Sequence, residues 1–255
     1  MDRVPLQEEQ LMHRFYADPA QSDGQLFVLD AEDARHAGKV LRLQPGDEVE
    51  VFWNGQRFLS ALESLSADRV TLRPLSPLPS TEPSLSVTLF QGLPKSDKMD
   101  WIVQKSVELG VSRIVPVFFS RCVVRLDEKE GARKQERWQR IAREAGKQSG
   151  RCRIPEVCAP VSLSALPAYF SECGRVAVPW EDCALGGPLA FAKENPSLSS
   201  LGIVIGPEGG ISAEEISLLE GMDCVCITLG RRILRTETAG LAALSVFFGL
   251  YGEME

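Results

Sequence analysis

Two short segments hold the residues most able to do chemistry, IGPEGGIS (Ile205 to Ser212) and LGRRILRTETAG (Leu229 to Gly240). Each closes a β-branched run, GIVIG in the first and CVCITLG in the second, in a glycine that lets the backbone turn sharply and come close to a ligand. A helix is signalled after each. Ser212 with Glu215 three residues on fits a capping box, and Thr236 or Thr238 is placed to cap a helix running through Leu241, Leu244 and Phe248 at core-facing spacing. Loops at the carboxyl ends of strands are where open α/β sheets bind ligands, so the two segments are expected to form one site.

The residues also constrain the ligand. A phosphate cradle needs convergent N–H groups with a lysine or arginine beside them, as in GxxxxGK[ST] or GxGxxG, and neither pattern occurs. Pro207 removes a donor and Glu208 adds negative charge. A cationic or neutral ligand read by main-chain groups fits better, and S-adenosylmethionine, with a positive sulfonium and a hydrogen-bonding adenine edge, is one such ligand.

The same residues resemble a known family. GPEGG followed by LGRRILRTETA is similar to the cofactor-binding half of the bacterial 16S ribosomal RNA (uracil-N3)-methyltransferases, a branch of the SPOUT superfamily. The similarity extends to HRFY (His13 to Tyr16), the HxxKVLRLxxGD stretch (His36 to Asp47), KSDKMDWIVQKSVELGV (Lys95 to Val111) and QSGRCRIPEV (Gln148 to Val157). Lys147 departs from the acidic residue often found before QSGR in that family. The resemblance implies a small PUA-like RNA-binding β-barrel, then an α/β SPOUT domain with a trefoil knot and a mostly parallel sheet. It further implies a homodimer that uses S-adenosylmethionine to methylate N3 of one uridine (uridine 1498 in the family) of 16S rRNA, free or in the small ribosomal subunit. Its cofactor residues carry over to Pro179, Gly206, Pro207, Glu208, Gly209, Gly210, Leu229, Gly230, Ile233, Leu234, Thr238 and Ala239, and its RNA contacts to Arg14, Arg143 and Arg151.

Alkylating uracil N3 requires its proton to leave while negative charge spreads onto the flanking carbonyl oxygens. An acceptor near N3 and a cation or N–H donor near O2 or O4 therefore help. Arg235 and Glu237 are the expected catalytic pair. Arg235 could stabilise the forming anion or grip the target phosphate; Glu237 could take the proton, hold Arg235, or simply complement the helix dipole. No metal is expected, since the chain has two widely separated histidines and neither HExxH nor CxxC. The rival readings are a SPOUT enzyme acting on another RNA base or ribose, and a non-catalytic rRNA-binding dimer.

A net charge of −7 argues against a protein that coats nucleic acid indiscriminately, but a local patch sets the field a phosphate feels. Arg133, Lys134, Arg137, Arg140, Arg143, Lys147, Arg151 and Arg153 supply one, with Arg143, Lys147 and Arg151 at four-residue spacing expected on one helix face. Seven cysteines without paired spacing point to reduced thiols, and the absence of a leader-like or membrane-length apolar run in the sequence points to the cytoplasm.

The elements that must position these residues fall in two regions, with 255 residues and 44% hydrophobic content ample for two cores. Residues 1–73 read as short alternating strands: EVEVFW and RFLSALESL flank an Asn54-Gly55 hairpin turn, RVTLRPL follows, and DAEDARHAGKVL is a helix-like insertion. Pro74, Pro77, Pro79 and Pro83 predict an extended linker over 74–84. From residue 85 to 255, strand and helix signals alternate, including a helix from Asp97 to Leu109 closed by Gly110 and a long basic helix to about Gln148, which predicts a parallel sheet covered on both faces.

Overall fold

Sequence periodicity becomes two separate cores in the computed structural model, which describes residues 12–66, 68–184 and 186–254. Of these, the residues up to Glu82 together with Gly150–Arg153 form one compact unit, and Pro83–Ser149 with Ile154 onward form the other.

The first unit is a five-stranded sheet in the order β1-β3-β4-β5-β2, built from β1 (Arg14–Tyr16), β2 (Phe27–Val28), β3 (Glu48–Trp53), β4 (Gln56–Leu65) and β5 (Val70–Leu78). Only β1 with β3 is parallel. Asn54 and Gly55, both at positive φ, make the tight turn between β3 and β4 that their types predict. Alternating inward residues, among them Phe15, Phe27, Val49, Val51, Leu62 and Leu72, fill the core. Asp30 caps the short helix α1 (Ala31–Arg35) by accepting from the N–H groups of Glu32 and Asp33, and a π-helical turn, His36–Val40, follows.

The expected linker starts too early. β5 continues to Leu78 through Pro74 and Pro77, which sit opposite Ser60 and Phe58. β2 pairs only with Thr71 and Leu72, so the far edge of β5 is open beyond that point and a residue without an N–H is tolerated there.

The second unit carries a parallel sheet in the order β12-β10-β11-β6-β7-β8, with β9 also on β7. Its strands are β6 (Ser86–Gly92), β7 (Arg113–Phe118), β8 (Glu156–Val157), β9 (Val161–Ser162), β10 (Arg175–Pro179), β11 (Ser200–Ile205) and β12 (Cys224–Ile227). The middle strands are buried along almost their whole length, as a sheet covered on both faces requires. The helices are α2 (Lys98–Leu109), α3 (Glu128–Ser149), α4 (Leu166–Phe170), α5 (Pro188–Glu194), α6 (Ala213–Glu220) and α7 (Thr236–Leu250). Gly110 ends α2 in the left-handed conformation, and the Ser212–Glu215 capping box opens α6, both as the sequence predicts. Among the described residues no helix is long and apolar enough to cross a membrane.

From β6 the chain moves outward through β7 and β8, whereas β11 lies on the other side of β6 and leads away toward β10 and β12. The strand order therefore reverses between β6 and β11, and a crevice is expected at the carboxyl ends of these two strands.

Candidate active site

Gly92 ends β6 one residue beyond the Gln91–Ile205 pair, next to Gly206 at the end of β11. A Cβ on Gly92 would stand 2.5 Å from the Pro207 nitrogen, so the GPEGG loop can cross here only over a glycine. The loop then folds on itself, the Gly210 N–H donating to the Pro207 carbonyl at 2.9 Å, while Arg121 Nη1 donates to the Gly209 carbonyl at 3.0 Å.

The second segment is fastened to the first by its own helix start. Thr236 does not cap α7; that position belongs to Arg235, which makes no side-chain cap. Instead the Thr236 hydroxyl donates to the Gly206 carbonyl at 2.6 Å and accepts from Gln91 Nε2 at 2.8 Å. β6, the loop after β11 and the first turn of α7 are thus pinned at one buried point. Thr238 is no cap either: it is exposed and its N–H donates to the Arg235 carbonyl.

A cleft of about 390 Å³ opens beside this point, with Gly206 to Gly210 on one side and Ile233, Leu234, Arg235 and Ala239 on another. Pro179, at the end of β10, lines it as well. An adjoining space of about 80 Å³ is bounded by Leu229 and Gly230. Of the cofactor positions expected from sequence, Thr238 alone lines neither space. Ile205, Ile211 and Thr236, from the same two segments, line the larger one as well, and Lys98 and Glu181 enter it from outside them. The approach of Lys98 and Glu181 depends on which strands are neighbours, and local pattern does not carry that information. Ile233 is 88% exposed, an apolar side chain held at the mouth of a cleft.

The charges are arranged around Lys98. Its ammonium lies 3.0 Å from Glu208 Oε1 and 3.3 Å from Glu237 Oε2, bridging the loop after β11 to the first turn of α7. The Glu208 carboxyl is lowered: burial works to raise it, but its own N–H, the Lys95 N–H and the Lys98 ammonium together outweigh burial. Lys98 is raised, chiefly by its hydrogen bond to Glu208, with burial opposing and Glu237 adding to the effect. Arg235 is exposed at the cleft.

The volume falls in the range of small-molecule sites. Pro179, Ile205, Leu234 and Ala239 offer apolar walls, and the carboxylates of Glu181 and Glu208 face the cleft together with the cations Lys98 and Arg235. Apolar walls with charges of both signs suit S-adenosylmethionine, which carries a sulfonium, an amino group and a carboxylate beside an apolar adenine face.

The expected RNA contacts divide. Arg14 is partly exposed, its Nε 3.1 Å from Glu50 Oε2. Arg143 is half-buried on α3. Arg151 does not extend their helix face. α3 stops at Ser149, Gly150 turns away at φ +76°, and Arg151 is 4% exposed. Its guanidinium holds the Glu82 carboxylate, with Nη2–Oε2 at 2.7 Å, and the N–H groups of Cys152 and Arg153 complete that carboxylate's partners. The sequence spacing misleads here because it assumes a helix that the glycine ends.

All seven cysteines are free. Burial pushes the Cys158 and Cys226 thiols up to about 11 and that of Cys224 up to about 12, so these remain protonated and unreactive. Among the described residues no cluster of three or more His, Cys, Asp or Glu side chains is placed to hold a metal ion.

Residues 81–248 match the RNA methyltransferase domain family and residues 29–75 the RNA methyltransferase PUA domain family. The ribosomal RNA small subunit methyltransferase E of Bacillus subtilis (strain 168) is 37% identical over 225 residues, covering 86% of this chain and 88% of its own. A Neisseria gonorrhoeae ribosomal RNA small subunit methyltransferase E, solved bound to S-adenosyl methionine, superposes with a TM-score of 0.81 at 34% identity over 94% of this chain and 98% of its own. A Legionella pneumophila putative methyltransferase, solved with the cofactor SAM, gives a TM-score of 0.75 at 33% identity, covering 93% of this chain and 97% of its own.

Proposed function

The chain belongs to the RNA methyltransferase family that includes the ribosomal RNA small subunit methyltransferases E, and on that premise we propose that it methylates N3 of one uridine, of the 1498 type, in 16S rRNA. It is an S-adenosylmethionine-dependent rRNA methyltransferase. We propose in addition that it works as a homodimer in the cytoplasm, that the β-sheet unit with Arg14 and the α3 face with Arg143 engage the RNA backbone, and that the chain path around the cleft is knotted.

The observation that carries the reading is the Thr236 hydroxyl on the Gly206 carbonyl, which makes one cleft out of two segments distant in sequence. Pro179, the Gly206 to Gly210 loop, Leu229, Gly230, Ile233, Leu234 and Ala239 are the residues that would hold the cofactor. When bound, the cofactor supplies an electrophilic methyl group on a cationic sulfur.

The chain's own task is to present a uracil whose N3 has lost its proton and to keep water out. Glu237, in the first turn of α7, accepts the N3 proton on its carboxylate. Arg235, exposed at the cleft beside it, stabilises the charge that deprotonation spreads onto O2 and O4. Ile233 at the mouth covers the reacting groups.

Calorimetry with S-adenosylmethionine and with ATP tests the cofactor: binding of ATP alone would overturn the assignment. Mass mapping of methylated uridine in 16S rRNA from cells lacking the protein tests the acceptor. Loss of N3-methyluridine supports the reading, whereas loss of a different methylated nucleoside would assign the enzyme to another base or ribose.

A further inference from the structure

Lys98 was absent from the expected site, yet it is the cation that meets both of its loops. It stands in the first turn of α2, after β6, and its ammonium reaches Glu208 Oε1 at 3.0 Å and Glu237 Oε2 at 3.3 Å. The two carboxylates are not held alike. Both oxygens of Glu208 also accept from the Lys95 N–H, at 3.0 and 3.3 Å. No other hydrogen bond or ion pair among the described residues reaches the Glu237 side chain. Glu208 would thus keep a partner without Lys98, and Glu237 would keep none.

The three side chains are 31%, 26% and 20% exposed, and Lys98 and Glu208 line the cleft while Glu237, one residue on from the lining Thr236, stands just behind that wall. Partly hydrated pairs of this kind add little to stability, so a structural staple is a poor account of it. Geometry gives a better one. A carboxylate on a long side chain populates several rotamers unless a partner selects one. Lys98 selects that rotamer from a helix start lying at the strand-order reversal, next to the loop that carries Glu208. Lys98 is raised, first by Glu208, and so stays cationic while Glu237 changes its protonation.

We propose that Lys98 is a positioning residue that aligns the Glu237 carboxylate beside the cleft and ties that alignment to the loop carrying Glu208. This rests on the reading of the cleft as the methyl-transfer site with Glu237 as its base. In the free protein Lys98 fixes the carboxylate; as Glu237 takes up a proton, the remaining charge of Glu208 keeps the ammonium in place.

The test uses the full-length protein with Lys98→Met, Lys98→Arg, Glu237→Gln and the double variant Lys98→Met/Glu237→Gln. Lys98→Met keeps length and removes charge. Its single-turnover rate on 16S rRNA should fall by about tenfold or more while S-adenosylmethionine affinity, read by calorimetry, changes less than about threefold. Lys98→Arg should recover most of the rate. In the Glu237→Gln background, Lys98→Met should cost less than about threefold, because residues acting as a unit are not additive. A readout independent of activity is the carbon-13 resonance of the Glu237 side-chain carboxyl, assigned by its loss in Glu237→Gln. It should shift or broaden in Lys98→Met without ligand, with unchanged circular dichroism. A wild-type rate in Lys98→Met, losses that multiply in the double variant, or an unmoved Glu237 resonance would each overturn the proposal. Failure of the underlying reading looks different: the wild-type protein itself would leave uridine N3 unmethylated, while the resonance would still report whether Lys98 holds Glu237.

Discussion

The Thr236 hydroxyl donates to the Gly206 carbonyl at 2.6 Å while accepting from Gln91 Nε2 at 2.8 Å. One side chain thereby satisfies the end of β11, the end of β6 and the start of α7. Thr236→Val keeps the shape and removes the hydroxyl, leaving a carbonyl and an amide short of partners in a buried place, which costs about 1–3 kcal/mol. Denaturant unfolding should show that loss, and calorimetry should show weaker S-adenosylmethionine binding. Thr236→Ser should retain both. Equal affinity in Thr236→Val and wild type would mean that the two loops hold together without this contact.

Gly209 is needed for a reason the sequence does not disclose. A Cβ there would stand 2.9 Å from Arg121 Cβ and 3.2 Å from the Arg121 carbonyl, so the obstacle is the neighbouring loop and not the ligand space alone. Gly209→Val should push the GPEGG loop into the cleft and abolish cofactor binding. Arg121→Ala in the same background leaves the backbone clash and should not restore it. A folded Gly209→Val protein that binds S-adenosylmethionine normally would remove this loop from the site.

The readable and unreadable parts of the molecule separate along a physical line. Gly110, the Asn54-Gly55 turn, the Ser212–Glu215 capping box and the glycine directly after β11 are local devices, and each is found where its residue types indicate, whereas β12 stops at Ile227, three residues short of Gly230. Lys98 and Glu181 enter the cleft through strand order, a long-range property with no local signature. Arg151 and Pro74 mislead for opposite reasons. The four-residue spacing runs past a glycine that ends the helix, and the prolines sit in a strand whose edge is open.

Arg143 and Arg151 should therefore behave differently when replaced. Arg143→Ala, on α3, should weaken RNA binding and reduce the log–log salt slope by roughly 1 per lost phosphate contact. Arg151→Ala removes the charged partner of the Glu82 carboxylate, leaving it the Cys152 and Arg153 N–H groups, and should cost about 1.5–3 kcal/mol. Filter binding across a salt series and urea melts distinguish them. An Arg151→Ala protein with wild-type stability and a flatter salt slope would return that residue to the RNA surface.

Glu50 links the first unit's stability to pH. Burial alone would raise its carboxyl, but hydrogen bonds from Arg57 (Nη2–Oε1 2.5 Å) and Arg14 lower it below the ordinary range. Its contribution is thus complete above the unfolded carboxylate value of about 4.3 and is lost as pH falls through the depressed folded value. Urea midpoints for wild type should drop below that pH more steeply than those of Glu50→Gln, which has no proton to gain. Parallel acid limbs would mean that other carboxylates carry the acid transition.

Chemistry is tested at Arg235 and Glu237, at the start of α7. If Arg235 stabilises charge that exists only while N3 is being alkylated, Arg235→Ala should lower the single-turnover rate by about 100-fold or more and leave S-adenosylmethionine affinity nearly intact. Impairment confined to cofactor binding would end that role. Glu237→Gln keeps the length of the side chain and an oxygen facing Lys98 but cannot take the proton, so its rate should fall at neutral pH. At alkaline pH a larger fraction of uracil N3 is already deprotonated, the missing base matters less, and the variant should climb toward wild type as pH rises. Arg235→Ala should show no such recovery, because its defect lies in charge stabilisation and not in proton removal. A Glu237→Gln enzyme with wild-type rates at every pH would show that this carboxylate serves only the helix start. A uniformly slow one with no alkaline recovery would assign it to holding Arg235 or Lys98 and not to accepting a proton.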